Sequence, residues 1–260
     1  MTANFTARAC LLVLLLALQQ SASASPKLAA LINERLGYMQ DVAAYKWLQQ
    51  RPIEDLGREA VVLTAASRSG LDYNITAASS EAFFAVQIEA AKEIQRYWFD
   101  HWQAHGAPEK AADLITVVRP ALLDLGEQIT AQLGTSQPIH ETDIKATGLS
   151  AATAARLAAA ANQIRFYDNT LARVLDSGML RVGTTADYQP FSYLDPAQQL
   201  VGIDIDMAQD LAQSLGVKLE LVRTSWPTLM ADFRKGRFDI GMSGISINLS
   251  RAKTAFFSHT

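Results

Sequence analysis

Of 260 residues only one is cysteine, Cys10, and four are histidine. A lone cysteine excludes a disulfide within the chain, so packing alone must hold the fold together. Charge is also scarce in excess: the net charge is -3 and the pI about 5.8, which gives no reason to expect nucleic acid or an anionic membrane as a partner. The one strongly apolar run, "ACLLVLLLAL", is too short to span a bilayer as a helix. It follows Arg8 and precedes "SASAS", the three parts of a cleaved export leader, with cleavage most simply after Ala24. Cys10 lies at the start of that run, before its leucines, and leaves with the leader, so the mature protein enters a periplasmic or extracellular compartment with no thiol. Hydrophobic residues make up 49% of the chain and charged ones 19%, enough apolar surface for a core rather than disorder.

What is present divides in two without a Pro-, Gly- or Ser-rich linker. Residues 1–24 read as the leader, 25–167 as an all-helical domain, and 168–260 as the incomplete first lobe of an α/β domain. In "KLAALINERLGYMQDVAAYKWLQQ" apolar residues recur at spacings of three and four, the pattern of one amphipathic helix. Pro52 sits where a second helix can begin, with Glu54 and Asp55 in its first turn. Further helices are predicted over about 76–104 and 110–133, and in the alanine-rich "SAATAARLAAAANQIRFY". After Asp168, strands ("MLRVGTT", "VKLELV", "FDIGMSG") alternate with helices ("GIDIDMAQDLAQSLG", "TLMADFRKG"), which implies a parallel sheet. The helix "NTLARVLDSG" leads directly from one part into the other.

The stretch "YKWLQQRPIEDLGRE" sets Lys46, Asp55, Arg58 and Glu59 among core-forming residues. Arg35 and Lys46 are eleven residues apart, about three turns, and therefore share a helix face. Gln95 falls on the inward stripe of Ile88 and Ala91, and Arg119 opens the buried half of the fourth helix. Taken singly, each of these residues is ordinarily a solvated surface group. Together, over about residues 28–165, they resemble the exported, all-helical chorismate mutases of the gamma subclass. The spacing Arg-x10-Lys-x8-Asp-x2-Arg carries that resemblance, with "VQIEAAKEIQRYWFDHW" and "ADLITVVRPALLDL" further on. The resemblance implies that Lys46 and Gln95 donate to the ether oxygen of chorismate, and that Arg35, Arg58 and Arg119 bind its two carboxylates. It also implies that Asp55 and Glu59 meet the ring hydroxyl and orient the cations. Val62 and Ala91 stand where some relatives place a polar side chain. The reaction is a concerted rearrangement to prephenate, which needs no cofactor, nucleophile or metal. His101 and His105 have the spacing of a metal pair, but no third ligand is evident. The sequons at Asn74 and Asn248 read as turn or cap positions. The expected partner is a small molecule, chorismate; homodimerisation is left open.

The segments from "LDSGMLRVGTTADYQPFSY" to "SRAKTAFFS" resemble periplasmic solute-binding proteins, and most closely the cyclohexadienyl dehydratases built on that fold. The overall expectation is an all-α chorismate mutase domain followed by a truncated α/β periplasmic-binding-protein-like lobe. Tyr188 and Trp226 would wall the ligand cleft, and Ser243, Ser246 and Arg251 would hold a carboxylate. The lobe stops at "AFFSHT", short of a hinge and second lobe, so the expectation is a fragment or truncated product without dehydratase activity. The rival reading is a periplasmic amino-acid-binding or solute-binding protein with a degenerate helical appendage. The intact set of Arg35, Lys46, Arg58, Gln95 and Arg119 argues against degeneracy.

Overall fold

A computed structural model describes residues 27–258; the export leader expected over residues 1–24 lies outside them. The helical part comprises α1 (Lys27–Gly37), α2 (Met39–Leu48), α3 (Leu56–Asp72), α4 (Ala77–His105), α5 (Arg119–Gln132) and α6 (Ala151–Asn162). The 29 residues of α4 extend about 44 Å and form the spine against which α2, α3 and α6 pack. Ile32, Leu36, Phe83, Ile94, Ile129 and Leu157 are the centre of its core.

Three boundaries differ from expectation. The first helix breaks at Tyr38, next to Gly37, whose backbone freedom makes it a poor helix residue. The next helix begins at Leu56 rather than near Pro52, because Asp55 caps it by accepting a hydrogen bond from the Arg58 amide at 3.0 Å. Pro52 and Glu54 lie in the preceding loop. The fourth helix starts with a π-type turn, Leu114–Val118, capped by Asp113. Pro120 follows in the first turn of α5. Its ring has no N–H and would crowd the Thr116 carbonyl of a regular turn, and the wider turn relieves this.

The α/β lobe begins with α7 (Thr170–Ser177), capped by Asn169 and closed by Gly178 in the left-handed region. The strand β1 (Met179–Thr184) is the middle of a parallel sheet between β5 (Lys218–Arg223) and β6 (Ile240–Gly241). It pairs Met179 with Lys218 and Val182 with Ile240. The helix α8 (Ile203–Leu215) packs Ala208 and Ala212 on Leu180 and Val182. Sequence reading missed a small antiparallel sheet of β2 (Asp187–Tyr188), β3 (Ser192–Leu194) and β4 (Leu200–Val201), whose strands are too short to show alternation. The helices α9 (Leu229–Arg234) and α10 (Leu249–Ala252) complete the lobe. Asn248 caps α10, and Asn74 stands at φ 59° with its amide donating to the Tyr167 carbonyl, so both sequon asparagines serve local geometry.

The two parts meet at the C-terminal end of α3. Asp239, with a side chain 1% exposed, accepts from Arg173 at 2.5 Å and from Arg181 at 3.0 Å, and also from the Arg181 amide at 2.8 Å. Arg181 pairs with Asp72, the last residue of α3, and Arg173 donates to the Leu71 carbonyl at 3.1 Å. Gly236 lies over the same helix end at φ 69°, where any side chain would collide with the Asp72 carbonyl oxygen.

Candidate active site

A pocket of about 240 Å³ opens between α1, α2, α3, α4 and the start of α5. Its apolar wall comes from Met39, Val42, Phe84, Ile88 and Leu114. Into it project Arg35, Lys46, Arg58 and Arg119, the four cations singled out from the sequence, together with Asp55, Glu59 and Gln95. Val62 and Ala91 are on the wall as well, and bring no donor.

The electrostatic balance is uneven. Among the described residues, none of Arg35, Lys46, Arg58 and Arg119 has a carboxylate at ion-pair distance. The nearby acids are engaged elsewhere. Asp55 caps α3, and Glu59 pairs with Lys92 at 3.3 Å. Lys92 was not anticipated; it also binds Glu89 at 2.8 Å, and that hydrogen bond is the main reason its pKa is raised. Four unmatched positive groups over an apolar floor are an arrangement suited to an anion of more than one charge. Burial, and secondarily the charge of Arg58, pull the Arg35 guanidinium down to about 10. Burial also lowers Lys46, against the opposing pull of Asp55 and Glu59.

Two expected donors rest on backbone. Lys46 Nζ donates to the Ile53 carbonyl at 2.5 Å, tying the loop before α3 to the pocket. Gln95, 4% exposed, donates from Nε2 to the Ala91 carbonyl at 3.0 Å, the preceding turn of its own helix. Each keeps donor capacity: an ammonium has three N–H groups and an amide two. Four buried polar atoms in this pocket have no partner: Arg35 Nε, Gln95 Oε1, and both Nε2 and Oε1 of Gln87. Gln87 escaped notice in the sequence, although it lies one turn before Ala91 on the stripe that holds Gln95.

In the lobe, Tyr188 and Trp226 meet edge to face at 5.9 Å, and the Arg251 guanidinium lies 5.6 Å from the Trp226 ring centroid. Arg251 also donates to the Ser246 hydroxyl at 3.0 Å, so these four expected cleft residues come together. Ser243 does not join them. It is fully buried, its hydroxyl bound to Thr185 at 2.7 Å and Ser192 at 2.5 Å, where it fastens β3 to the sheet instead of facing a ligand. His101 and His105 stack their rings 4.5 Å apart near the end of α4.

An all-helical pocket with three arginines and a lysine suits a small carboxylate, and comparison with known proteins makes the class specific. Residues 19–96 match the family model for chorismate mutase type II, and residues 180–260 match that for bacterial extracellular solute-binding proteins, family 3. The secreted chorismate mutase of Yersinia pestis is 34% identical over 119 residues, covering 44% of this chain and 64% of that one. Its crystal structure superposes with a TM-score of 0.50 at 30% identity, over 54% of this chain and 98% of that one. The chain belongs to the chorismate mutase family through its helical part. A cyclohexadienyl dehydratase of Pseudomonas aeruginosa is 56% identical over 99 residues, 38% of this chain. The chain spans only 37% of that enzyme's length.

Proposed function

We propose that the helical domain, residues 25–167, converts chorismate to prephenate, an isomerase reaction, after export directed by residues 1–24. The observation that carries this reading is the set of four cations without carboxylate partners around one apolar pocket. Chorismate is a dianion with an enol ether, and its rearrangement is concerted. Catalysis therefore consists of holding the compact conformer and stabilising negative charge that grows on the ether oxygen. Arg35, Arg58 and Arg119 supply guanidinium forks for the two carboxylates. Lys46 and Gln95 use their remaining N–H groups on the ether oxygen. Asp55 and Glu59 meet the ring hydroxyl; neither is at ion-pair distance from the four cations, and the cation that Glu59 orients is instead Lys92. Formation of prephenate by the purified chain is the direct test; a folded protein without turnover refutes the reading.

The lobe from residue 168 is proposed to supply one wall of a carboxylate-binding cleft through Tyr188, Trp226, Ser246 and Arg251. In a protein of the dehydratase's full length, the first domain would make what the second consumes.

The protonation states give two pH predictions. Lys46 and Arg35 act as cations, so losing a proton removes their function, and activity must fall as pH rises. Because burial lowers both, with Arg35 at about 10, the alkaline limb is expected below the ordinary lysine value of 10.5. A pH–rate profile flat through 10.5 would contradict this. For Gln95→Glu, turnover is expected to fall as pH rises through the pKa of the new carboxyl, since a carboxylate repels the developing oxyanion and only its protonated form donates. The parent, whose amide does not titrate, is expected to stay flat from about pH 5 to 8. If the two profiles coincide over that range, Gln95 does not touch the ether oxygen.

A further inference from the structure

We infer that Gln87 is a further substrate-contacting residue of this pocket, its amide donating a hydrogen bond to an oxygen of the bound dianion. The inference rests on the chorismate mutase reading and adds to it a residue outside the expected set. Helices α3 and α4 form an antiparallel hairpin whose register is fixed at two points. Near the turn, the Ser80 hydroxyl donates to the Ala66 carbonyl at 2.9 Å; toward the open end, Lys92 pairs with Glu59 at 3.3 Å. Stepping between these contacts brings Gln87 level with Val62, across the pocket wall from it.

Gln87 is 2% exposed, and neither its Nε2 nor its Oε1 has a partner. Its surroundings on that wall include Phe84, Ile88 and Val62. An amide buried in such company without hydrogen bonds destabilises the free protein, and an apolar side chain of the same size would suit the fold better. A ligand oxygen entering the pocket would satisfy it. Arg35 Nε and Gln95 Oε1 are orphaned beside the same cavity, so the unmet polar groups cluster where a ligand would sit. Three side-chain torsions let the Gln87 amide turn into the space it lines, and a neutral donor adds a hydrogen bond to an anion without altering the charge balance set by the four cations.

The two roles open to Gln87 predict opposite results for Gln87→Met, which keeps the volume and removes the amide. Contact with substrate predicts a KM for chorismate raised about tenfold or more, and a thermal midpoint equal to or above the parent's. Stabilisation of the midpoint by added prephenate should shrink in parallel. Gln87→Leu is expected to behave alike, which guards against a defect peculiar to one side chain. A parent that turns over while both variants keep its KM and its response to prephenate overturns the inference and leaves the chorismate mutase reading standing. A lowered midpoint with unchanged KM assigns Gln87 to the fold and equally overturns it. A parent with neither turnover nor stabilisation by prephenate overturns both.

Discussion

Replacing Lys46 with alanine is expected to reduce turnover of chorismate by about two orders of magnitude or more, as loss of a donor to a developing oxyanion does. Lys46 is the only ammonium among the four unpaired cations, a compact point charge rather than a fork suited to carboxylates. It lines the same largely apolar pocket as Gln95, where its charge is less screened than on an open surface. The substitution also releases the Ile53 carbonyl, but that residue belongs to a half-exposed loop where water can take over. The fold should therefore survive with a small change in thermal midpoint. Prephenate formation measured alongside thermal unfolding checks both halves, and near-normal turnover in a folded variant would remove Lys46 from the mechanism.

The second large effect lies outside the pocket. Asp239→Ala is expected to destabilise the α/β lobe by about 3–5 kcal/mol, the range seen when one member of a buried ion cluster is removed. Asp239 faces two guanidiniums whose side chains are 9% and 7% exposed, so its loss leaves Arg173 and Arg181 buried with a deficit of negative charge. Asp72 cannot make good the loss, since it is 43% exposed and its attraction is screened. Burial already lowers the pKa of Arg173, and Asp239 is the main influence opposing it. Urea denaturation followed by hydrogen exchange should show β1 and α7 opening at lower denaturant while α4 keeps its protection. A loss under about 1 kcal/mol would mean that the guanidiniums rehydrate by local opening.

Much of the mutase pocket was legible because it is built from helices. A period of 3.6 converts spacing into direction, so Gln95 could be placed on an inward face from the sequence alone. Arg35 and Lys46, read as sharing one face of a single helix, stand instead on α1 and α2 either side of the break at Tyr38 and meet only in the pocket. Lys92 and Gln87 follow the same rule and were passed over, because a lysine among glutamates and a glutamine in a helix look like surface residues. The break at Tyr38 and the π-type turn before Arg119 were not legible, since each is a local concession to a glycine or a proline that periodicity ignores. Ser243 was misread for a different reason. Its neighbours in sequence belong to the cleft, and only the pairing of β1 with β6 shows that its own side chain turns inward against Ser192. The Asp72, Arg173, Arg181 and Asp239 cluster joins residues up to 167 positions apart, from 72 to 239, and nothing local marks it.

Helix α3 begins among the pocket residues and ends in that cluster. Its 17 residues form a rod about 25 Å long, with Asp55 and Arg58 at one end and Asp72 gripped by the lobe at the other. The rod is also packed along α4, with its register fixed at Ala66 and Glu59, so a shift at the Asp72 end is carried along the helix hairpin as a unit. A tilt of about two degrees at the Asp72 end displaces the Arg58 end by roughly 1 Å, a misplacement that can cost a positioning catalyst about a hundredfold in rate. Helix α3 thus links the lobe to the first turn of the pocket, and a disturbance of the Asp72 contact is expected to reach Arg58, some 25 Å away, as lost alignment.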